Sequence, residues 1–307
     1  ERFIHCIDRT LNGFDQNNEA YKPEILITIG GAVVSKRIKA YLRNAGVQKH
    51  YKIGAEFPEM DTYRCLSQAI ALAPSDFFEQ INEYELTANT HNFNGKWKAV
   101  DIVAKDRSLD FVSEFSNLTD MQVFQNIQDY LPEDRILHLA NSSVVRYAQL
   151  FDPLPGVRYE SNRGTSGIDG STSTALGAAI ANPSKQHVLI SGDISFLYDS
   201  NALWNNYIPS NFKIILINNG GGGIFRILPG HEETETFNTF FETSHQLNAS
   251  HLAKMYGLDY FEAQDELSLA QQYKAFMTQN NRPSIIEIFT PEKVNDLVLL
   301  DFFKELV

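Results

Sequence analysis

Short apolar runs rich in Val, Ile and Leu alternate along this chain with stretches whose apolar positions recur at helical spacing. That alternation predicts parallel strands covered by helices on both faces, the α/β class, built here as two doubly wound domains with mainly parallel sheets. In the first part, residues 24–29 read as a buried strand, Gly30-Gly31 as the turn that ends it and 33–43 as a helix. Asn117-Leu118-Thr119-Asp120 reads as a turn leading into a helix N-terminus, which sets the boundary there and predicts domains over 1–116 and 117–307. The second part predicts a helix reaching Leu131, a strand over 136–139, a helix from Ser143 and a strand over 157–160. Beyond these come a helix over 171–181, a strand over 187–191, a helix over 198–207 and strands over 213–217 and 284–289.

Composition narrows the function classes. The 307 residues suit two domains of ordinary size, and with 43% hydrophobic and 21% charged residues the chain has no apolar run long enough to span a bilayer. A formal net charge of −12 argues against nucleic acid as a partner, because phosphate backbones are held by clustered Lys and Arg. Any anionic ligand must therefore be met locally, by a metal ion, a helix N-terminus or a few placed cations. Cys6 and Cys65 are too few for a structural zinc site or a disulfide framework, which favours a reducing cytoplasm. The chain opens Glu-Arg-Phe-Ile, without an initiator Met or the apolar core of a signal peptide, and reads as a piece of something longer.

The chemistry concentrates between Asn162 and Pro229. One strand ends in Gly192-Asp193 and the next in Asn218-Asn219, followed by Gly220 to Gly223. The roughly two dozen residues between Asp193 and Asn219 suffice for a helical crossover between parallel neighbours, so both side chains fall at the carboxyl edge of the sheet, where open α/β sheets bind ligands. A carboxylate, an amide oxygen and a backbone carbonyl from a Gly-rich loop form a hard-oxygen set suited to Mg²⁺ completed by phosphate oxygens and water. Taken singly, Gly-Asp after a strand is a turn and Asn-Gly-Gly a loop; their joint placement at adjacent strand ends is what points to a site.

Gly192-Asp193 through Asn218-Asn219 resembles the diphosphate motif of thiamin diphosphate (ThDP) enzymes, normally Gly-Asp-Gly followed by a distant Asn-Asn, with Ile194 in place of the third Gly. That departure, with Asn141-Ser142-Ser143-Val144-Val145-Arg146, the run Ser161 to Gly170 and Asn219 to Phe225, is similar to the SEPHCHC synthase family, the ThDP enzymes of menaquinone biosynthesis. The resemblance implies a central, transhydrogenase-like domain followed by the ThDP-binding fold. It implies Mg²⁺ held by Asp193, Asn219 and the Gly221 carbonyl, and ThDP bound by Gly192, Asp193, Ile194, Ser195, Asn219, Gly221, Ile224, Phe225 and Leu228. Ile168 would wedge under the thiazolium and bend the cofactor. The implied substrates are 2-oxoglutarate and isochorismate, and the implied whole enzyme is a homodimer or homotetramer. Its activating Glu lies on an N-terminal pyrimidine-binding domain that no segment here resembles, so this chain alone is expected to be inactive.

Lys36, Arg37, Arg146 and Arg163 stand out against the acidic background. Lys36 and Arg37 fall early in a helix, where a positive charge works against the dipole unless an anion sits opposite. Ser142 and Arg146 share a helix face. The resemblance assigns these five positions to substrate carboxylates; the plain alternative for Lys36, Arg37 and Arg146 is a solvated helix face. Gly30-Gly31-Ala32 lacks the spacing of a dinucleotide-binding turn, and His138 and His187 show no metal-ligand pattern. Two other functional readings stand beside the synthase: an acetolactate-synthase-like carboligase or decarboxylase, and a non-catalytic assembly domain.

Overall fold

The computed structural model describes residues 3–56, 60–84, 92–113, 118–131, 133–227 and 232–306. It separates into two compact units, Glu1–Ser108 with Leu306–Val307, and Leu109–Glu305. The boundary expected near residue 116 lies outside the described residues.

The first unit holds a parallel sheet of β1 (Ile25–Ile29), β2 (Lys49–Ile53) and β3 (Leu66–Ile70), in that order. Phe14, Tyr21, Tyr41 and Trp97 form an aromatic cluster in its core, Phe14 stacked on Tyr21 at 4.2 Å. The reading of residues 24–29 as a buried strand needs correction. In this sheet β1 pairs with β2 alone, and Ile25, Ile27 and Ile29 alternate outward, 60%, 41% and 53% exposed. Its helix also begins later than expected, at Lys36–Asn44, because the Ser35 hydroxyl accepts from the Ile38 N–H and caps it there.

The second unit is a six-stranded, wholly parallel sheet built from β4 (Arg135–Leu139), β5 (Arg158–Glu160), β6 (Gln186–Gly192), β7 (Phe212–Asn218), β8 (Asp259–Ala263) and β9 (Ser284–Phe289), in the order β5-β4-β6-β7-β9-β8. Every residue of β7 is buried, and every residue of β6 except Gly192. That is why these strands are unbroken apolar runs rather than alternating ones. Leu189, Phe212, Ile214 and Leu216 pack with Ala175, Leu176 and Ala179 of the helix Ser171–Ala181, and with Phe196 and Leu203, on one face. From β4 the chain steps to β5 on one side and then to β6 on the other. The carboxyl ends of β4 and β6 therefore flank a topological switch point, the place where such sheets open a crevice.

The helix expected over 198–207 starts five residues earlier, at Asp193–Asp199, and gives way to a 3-10 turn at Ser200–Leu203. Gly192 keeps an extended backbone and releases the chain into helix at the strand's last residue. Asp199 is then held by the Ser173 N–H at 2.8 Å, which fixes this helix against its neighbour.

His138 and His187 meet across β4 and β6 with ring nitrogens 2.9 Å apart and rings stacked. Burial and the facing His187 push the His138 imidazole down from 6.5 to about 4. The folded state thus keeps it neutral while the unfolded chain takes up a proton as the pH falls below 6.5. Its share of stability is complete above that value and is lost on the way down to about pH 4, a difference of about 3 kcal/mol. Urea unfolding at pH 7 and pH 5 is expected to show about 2 kcal/mol of that loss, the rest falling below pH 5, and His138→Gln, which cannot titrate, is expected to flatten it.

Candidate active site at the switch point

A cavity of about 230 Å³ opens at the carboxyl ends of β4, β6 and β7. Among the positions expected from sequence, Ser142, Ile168, Gly192, Asp193, Ile194, Ser195, Asn219, Gly221, Ile224 and Phe225 line it. Leu228 lies outside the described residues.

The oxygen set is assembled by the ends of β6 and β7. Asp193, 4% exposed, accepts from the Ile194 N–H at 2.6 Å through Oδ1 and from the Gly221 N–H at 2.9 Å through Oδ2. His245 Nε2 stands 3.4 Å from the same Oδ2, and that carboxylate raises the imidazole's pKa despite its burial. Asn219 donates its Nδ2 to Asp120 at 3.0 Å. Asp120 is fully buried, and burial pushes its carboxyl up to about 6 against the pull of its bonds from Thr290 and Asn219.

Gly221 sits at φ +156°, and a Cβ there would lie 2.8 Å from the Glu242 carbonyl, so this residue must be glycine for the loop to close. The neighbouring bonds are Gly222 N–H to Glu242 O at 2.6 Å and His245 N–H to Gly220 O at 3.0 Å. Neither uses the Gly221 carbonyl. Glu242 is itself held by both sides of the buried Arg226 guanidinium, a fork that pins the segment Phe237–Glu242 over the glycine loop.

Asp193, Asn219 and Gly221 line the same cavity, and a carboxylate, an amide oxygen and a backbone carbonyl are donors of the kind that suits a hard divalent cation. No group of three His, Cys, Asp or Glu suited to a metal is found among the described residues. Ile168, Ile224 and Phe225 give the same cavity an apolar lining, and Phe225 packs edge-on against Phe241 at 5.8 Å. The Ser195 hydroxyl donates to the Ile168 carbonyl at 2.5 Å, tying the Ile168 loop to the first turn after β6. Ile194 N–H and the Ser195 hydroxyl are thus both engaged within the protein.

Burial and the nearby Arg146 both depress the Arg163 guanidinium. Arg163 Nη1 bonds Asn141 Oδ1, while its Nε is buried with no partner among the described residues. Asn141, 1% exposed, also donates to the carbonyls of Asn162 at 2.8 Å and Gly167 at 2.6 Å, so one amide organises the loop that carries both Arg163 and Ile168. Ser142 adopts φ 69°, ψ −127°, a strained backbone for a residue with a side chain, and its hydroxyl does not cap the helix Ser143–Ala148 that follows. Lys36 and Arg37 belong to the first unit, at the start of the helix Lys36–Asn44, with Lys36 exposed and Arg37 Nη1 donating to Asn12 at 2.5 Å.

Sequence reasoning missed Asp120, His245, Glu242 and Arg226. Each acts across a fold contact, and only the Thr119-Asp120 helix start carried a local signal, the capping box between Thr119 and Gln122.

Residues 142–288 match the family model of the C-terminal TPP binding domain of thiamine pyrophosphate enzymes. Along 99% of its length the chain is similar to proteins named 2-succinyl-5-enolpyruvyl-6-hydroxy-3-cyclohexene-1-carboxylate synthase. It is 48% identical to the one from Flavobacterium johnsoniae and 51% to the one from Flavobacterium psychrophilum, covering 54% of each, and 42% identical to that of Christiangramia forsetii, covering 53%. The chain spans about half the length of the curated relatives it matches. The crevice at the carboxyl edge of β4, β6 and β7 is thus lined largely by the stretch that matches the C-terminal TPP binding domain of thiamine pyrophosphate enzymes, in a chain similar to proteins named SEPHCHC synthase.

Proposed function

We propose that this chain supplies the ThDP- and Mg²⁺-binding part of a synthase that decarboxylates 2-oxoglutarate and joins the remaining four-carbon unit to isochorismate, forming SEPHCHC for menaquinone biosynthesis. The observation that carries the reading is the oxygen rim of Asp193, Asn219 and Gly221 in the same crevice as Ile168, with the Arg146–Arg163 pair nearby.

Asp193, the Asn219 amide oxygen and the Gly221 carbonyl would hold Mg²⁺ against the diphosphate, offsetting the repulsion between that anion and an acidic protein. Ile168, Ile224 and Phe225 would pack the cofactor's apolar face and exclude water from it. ThDP, when bound, supplies the electron sink for decarboxylation and for carbon–carbon bond formation. Arg163, Arg146 and Ser142 would pair the substrate carboxylates and orient them; for Lys36 and Arg37, in the first unit, a carboxylate-pairing role is proposed from the sequence resemblance alone. The unpartnered Arg163 Nε and the two adjacent guanidinium groups support that role, because clustered cations in an acidic chain are stabilised when an anion joins them.

No helix among the described residues is long and apolar enough to cross a membrane. Cys6 and Cys65 are both thiols, in keeping with a reducing, cytoplasmic setting. Exposed Tyr198, Trp204 and Tyr207 offer apolar surface to a second subunit, in keeping with a homodimer or homotetramer.

The test is an assay of the complete protein with ThDP and Mg²⁺, following both substrates. Joint consumption that requires both cofactors is expected; consumption of pyruvate with 2-oxoglutarate ignored would move the reading to an acetolactate-type carboligase. In the same assay Arg163→Ala is expected to raise the KM for the acidic substrate about 10- to 100-fold with a smaller change in kcat. An unchanged KM would remove Arg163 from substrate binding.

A further inference from the structure

An asparagine can serve as a metal ligand only through its oxygen, yet its amide oxygen and nitrogen have nearly the same shape. If the amide turns over, two N–H groups face the cation in place of a lone pair. Something must therefore fix which end of Asn219 points where.

Asp120 is placed to do so. It lies in the first turn of the helix Asp120–Tyr130, 3% exposed, and both of its carboxylate oxygens are occupied. Oδ2 accepts from Asn219 Nδ2 at 3.0 Å and Oδ1 from the Thr290 hydroxyl at 2.6 Å. The surrounding backbone holds the carboxylate still. Asp120 N–H donates to Asn295 Oδ1 at 2.9 Å, Asn295 Nδ2 donates to the Pro291 carbonyl at 2.7 Å, and Thr290 N–H donates to Asn218 O at 3.0 Å. The acceptor that reads Asn219 is thus anchored to the ends of β7 and β9, the strands that carry and flank the ligand.

An ionised carboxylate only accepts. A reversed Asn219 would set its oxygen against Asp120 Oδ2 at hydrogen-bond distance, two acceptors facing each other without a proton between them. We propose that Asp120 is a positioning residue of the metal site: it captures the Asn219 nitrogen and so presents the Asn219 oxygen to the cation. The inference rests on the reading of Asp193, Asn219 and Gly221 as the Mg²⁺ ligands. Its rival is a simpler one, in which the negative charge of Asp120 attracts the cation directly.

The two separate on conservative variants of the complete protein, with Mn²⁺ affinity in the presence of ThDP read by electron paramagnetic resonance. Asp120→Asn loses the charge but keeps the geometry, because the new amide can donate to the Thr290 oxygen and still accept from Asn219. It is expected to hold Mn²⁺ within about threefold of wild type. Asp120→Ala and the similarly sized Asp120→Leu leave Asn219 unheld and are expected to weaken Mn²⁺ about 10- to 100-fold, the usual consequence of removing a partner that orients a ligand. Combining Asp120→Ala with Asn219→Asp is expected to restore binding to within about tenfold, since a carboxylate offers oxygen whichever way it turns. Thermal unfolding of the metal-free variants separates a lost fold from a lost ligand, and Asp120→Leu fills the volume if Asp120→Ala does not fold. Wild-type affinity in both Asp120→Ala and Asp120→Leu overturns the proposal, as does an Asp120→Asn variant that falls as far as Asp120→Ala. Asp193→Ala is the control: if it also leaves Mn²⁺ binding intact, the metal reading itself is wrong.

Discussion

Replacing Asp193 with alanine in the complete protein is expected to abolish the Mg²⁺ dependence of ThDP binding, lowering the affinity measured with Mg²⁺ by at least about 100-fold. The proposed ligand set contains one charged group and two neutral oxygens, so Asp193 supplies its only formal negative charge. Removing a partner that merely orients a metal ligand costs about 10- to 100-fold in affinity, and a direct ligand is expected to cost more. The loss has a second component within the protein. Asp193 accepts the Gly221 N–H at 2.9 Å and stands beside His245, so alanine also releases the glycine loop whose carbonyl is to meet the same cation. Calorimetric titration of ThDP with and without Mg²⁺ reads the effect directly. In the variant the two titrations are expected to coincide, whereas wild type separates them. A variant that keeps the Mg²⁺-dependent gain refutes the assignment of Asp193 to the metal.

How far such a site can be read before the fold is known follows from the range of the contacts involved. The helix Ser171–Ala181 and the strand Ser284–Phe289 fall where the sequence pattern puts them, and β6 and β7 extend their expected strands by one residue at each end. Central strands of a parallel sheet are buried on both faces, so the apolar run and the strand share their limits. Asp193 and Asn219 were legible as neighbours for the same reason: each directly follows or ends such a run. The segment after Asp193 was not legible. Its helix begins at the strand's last residue and passes into a 3-10 turn, and neither feature leaves a period for an apolar pattern to follow. Strand β8 and the helix Glu266–Thr278 were likewise passed over: β8 is an edge strand with mostly half-buried residues, so Asp259-Tyr260-Phe261-Glu262-Ala263 gives no clean apolar run. Asp120 and Asn219 are 99 positions apart, and a hydrogen bond of that span has no local trace. The exposed β1 shows the opposite limit, because an apolar run marks a strand but not whether another layer covers it.

The largest expected loss of stability comes from a residue that faces no ligand. Glu287, in the middle of β9, is 0% exposed. Its Oε1 accepts from Asn218 Nδ2 at 2.7 Å, and its Oε2 accepts from the Ala249 N–H at 2.8 Å and the Tyr260 hydroxyl at 2.7 Å. Three donors from β7, from the turn before the helix Ser250–Tyr256 and from β8 thus converge on one buried carboxylate, and burial together with Glu287 raises the Tyr260 phenol. Glu287→Leu removes every acceptor while keeping the volume. It leaves the Ala249 N–H and one Asn218 N–H buried without an acceptor, while the half-buried Tyr260 hydroxyl keeps only the Glu262 carboxylate at 3.4 Å, and about 3–5 kcal/mol of destabilisation is expected. For a unit of this size that corresponds to a fall in Tm of about 10–15 °C. Glu287→Gln keeps one acceptor but sets an N–H₂ against the remaining donors, so it is expected to fall between wild type and Glu287→Leu. The consequence reaches the site through Asn218, whose Oδ1 accepts the Gly220 N–H at 3.1 Å and which immediately precedes Asn219. A chain that loses the Glu287 carboxylate is therefore expected to unfold more easily and, in what remains folded, to hold the start of the glycine loop less firmly. Urea unfolding of the two variants decides the matter: a loss below about 1 kcal/mol in Glu287→Leu would mean that water or a rearranged side chain satisfies these donors, and that the carboxylate is not what ties β7, β8 and β9 together.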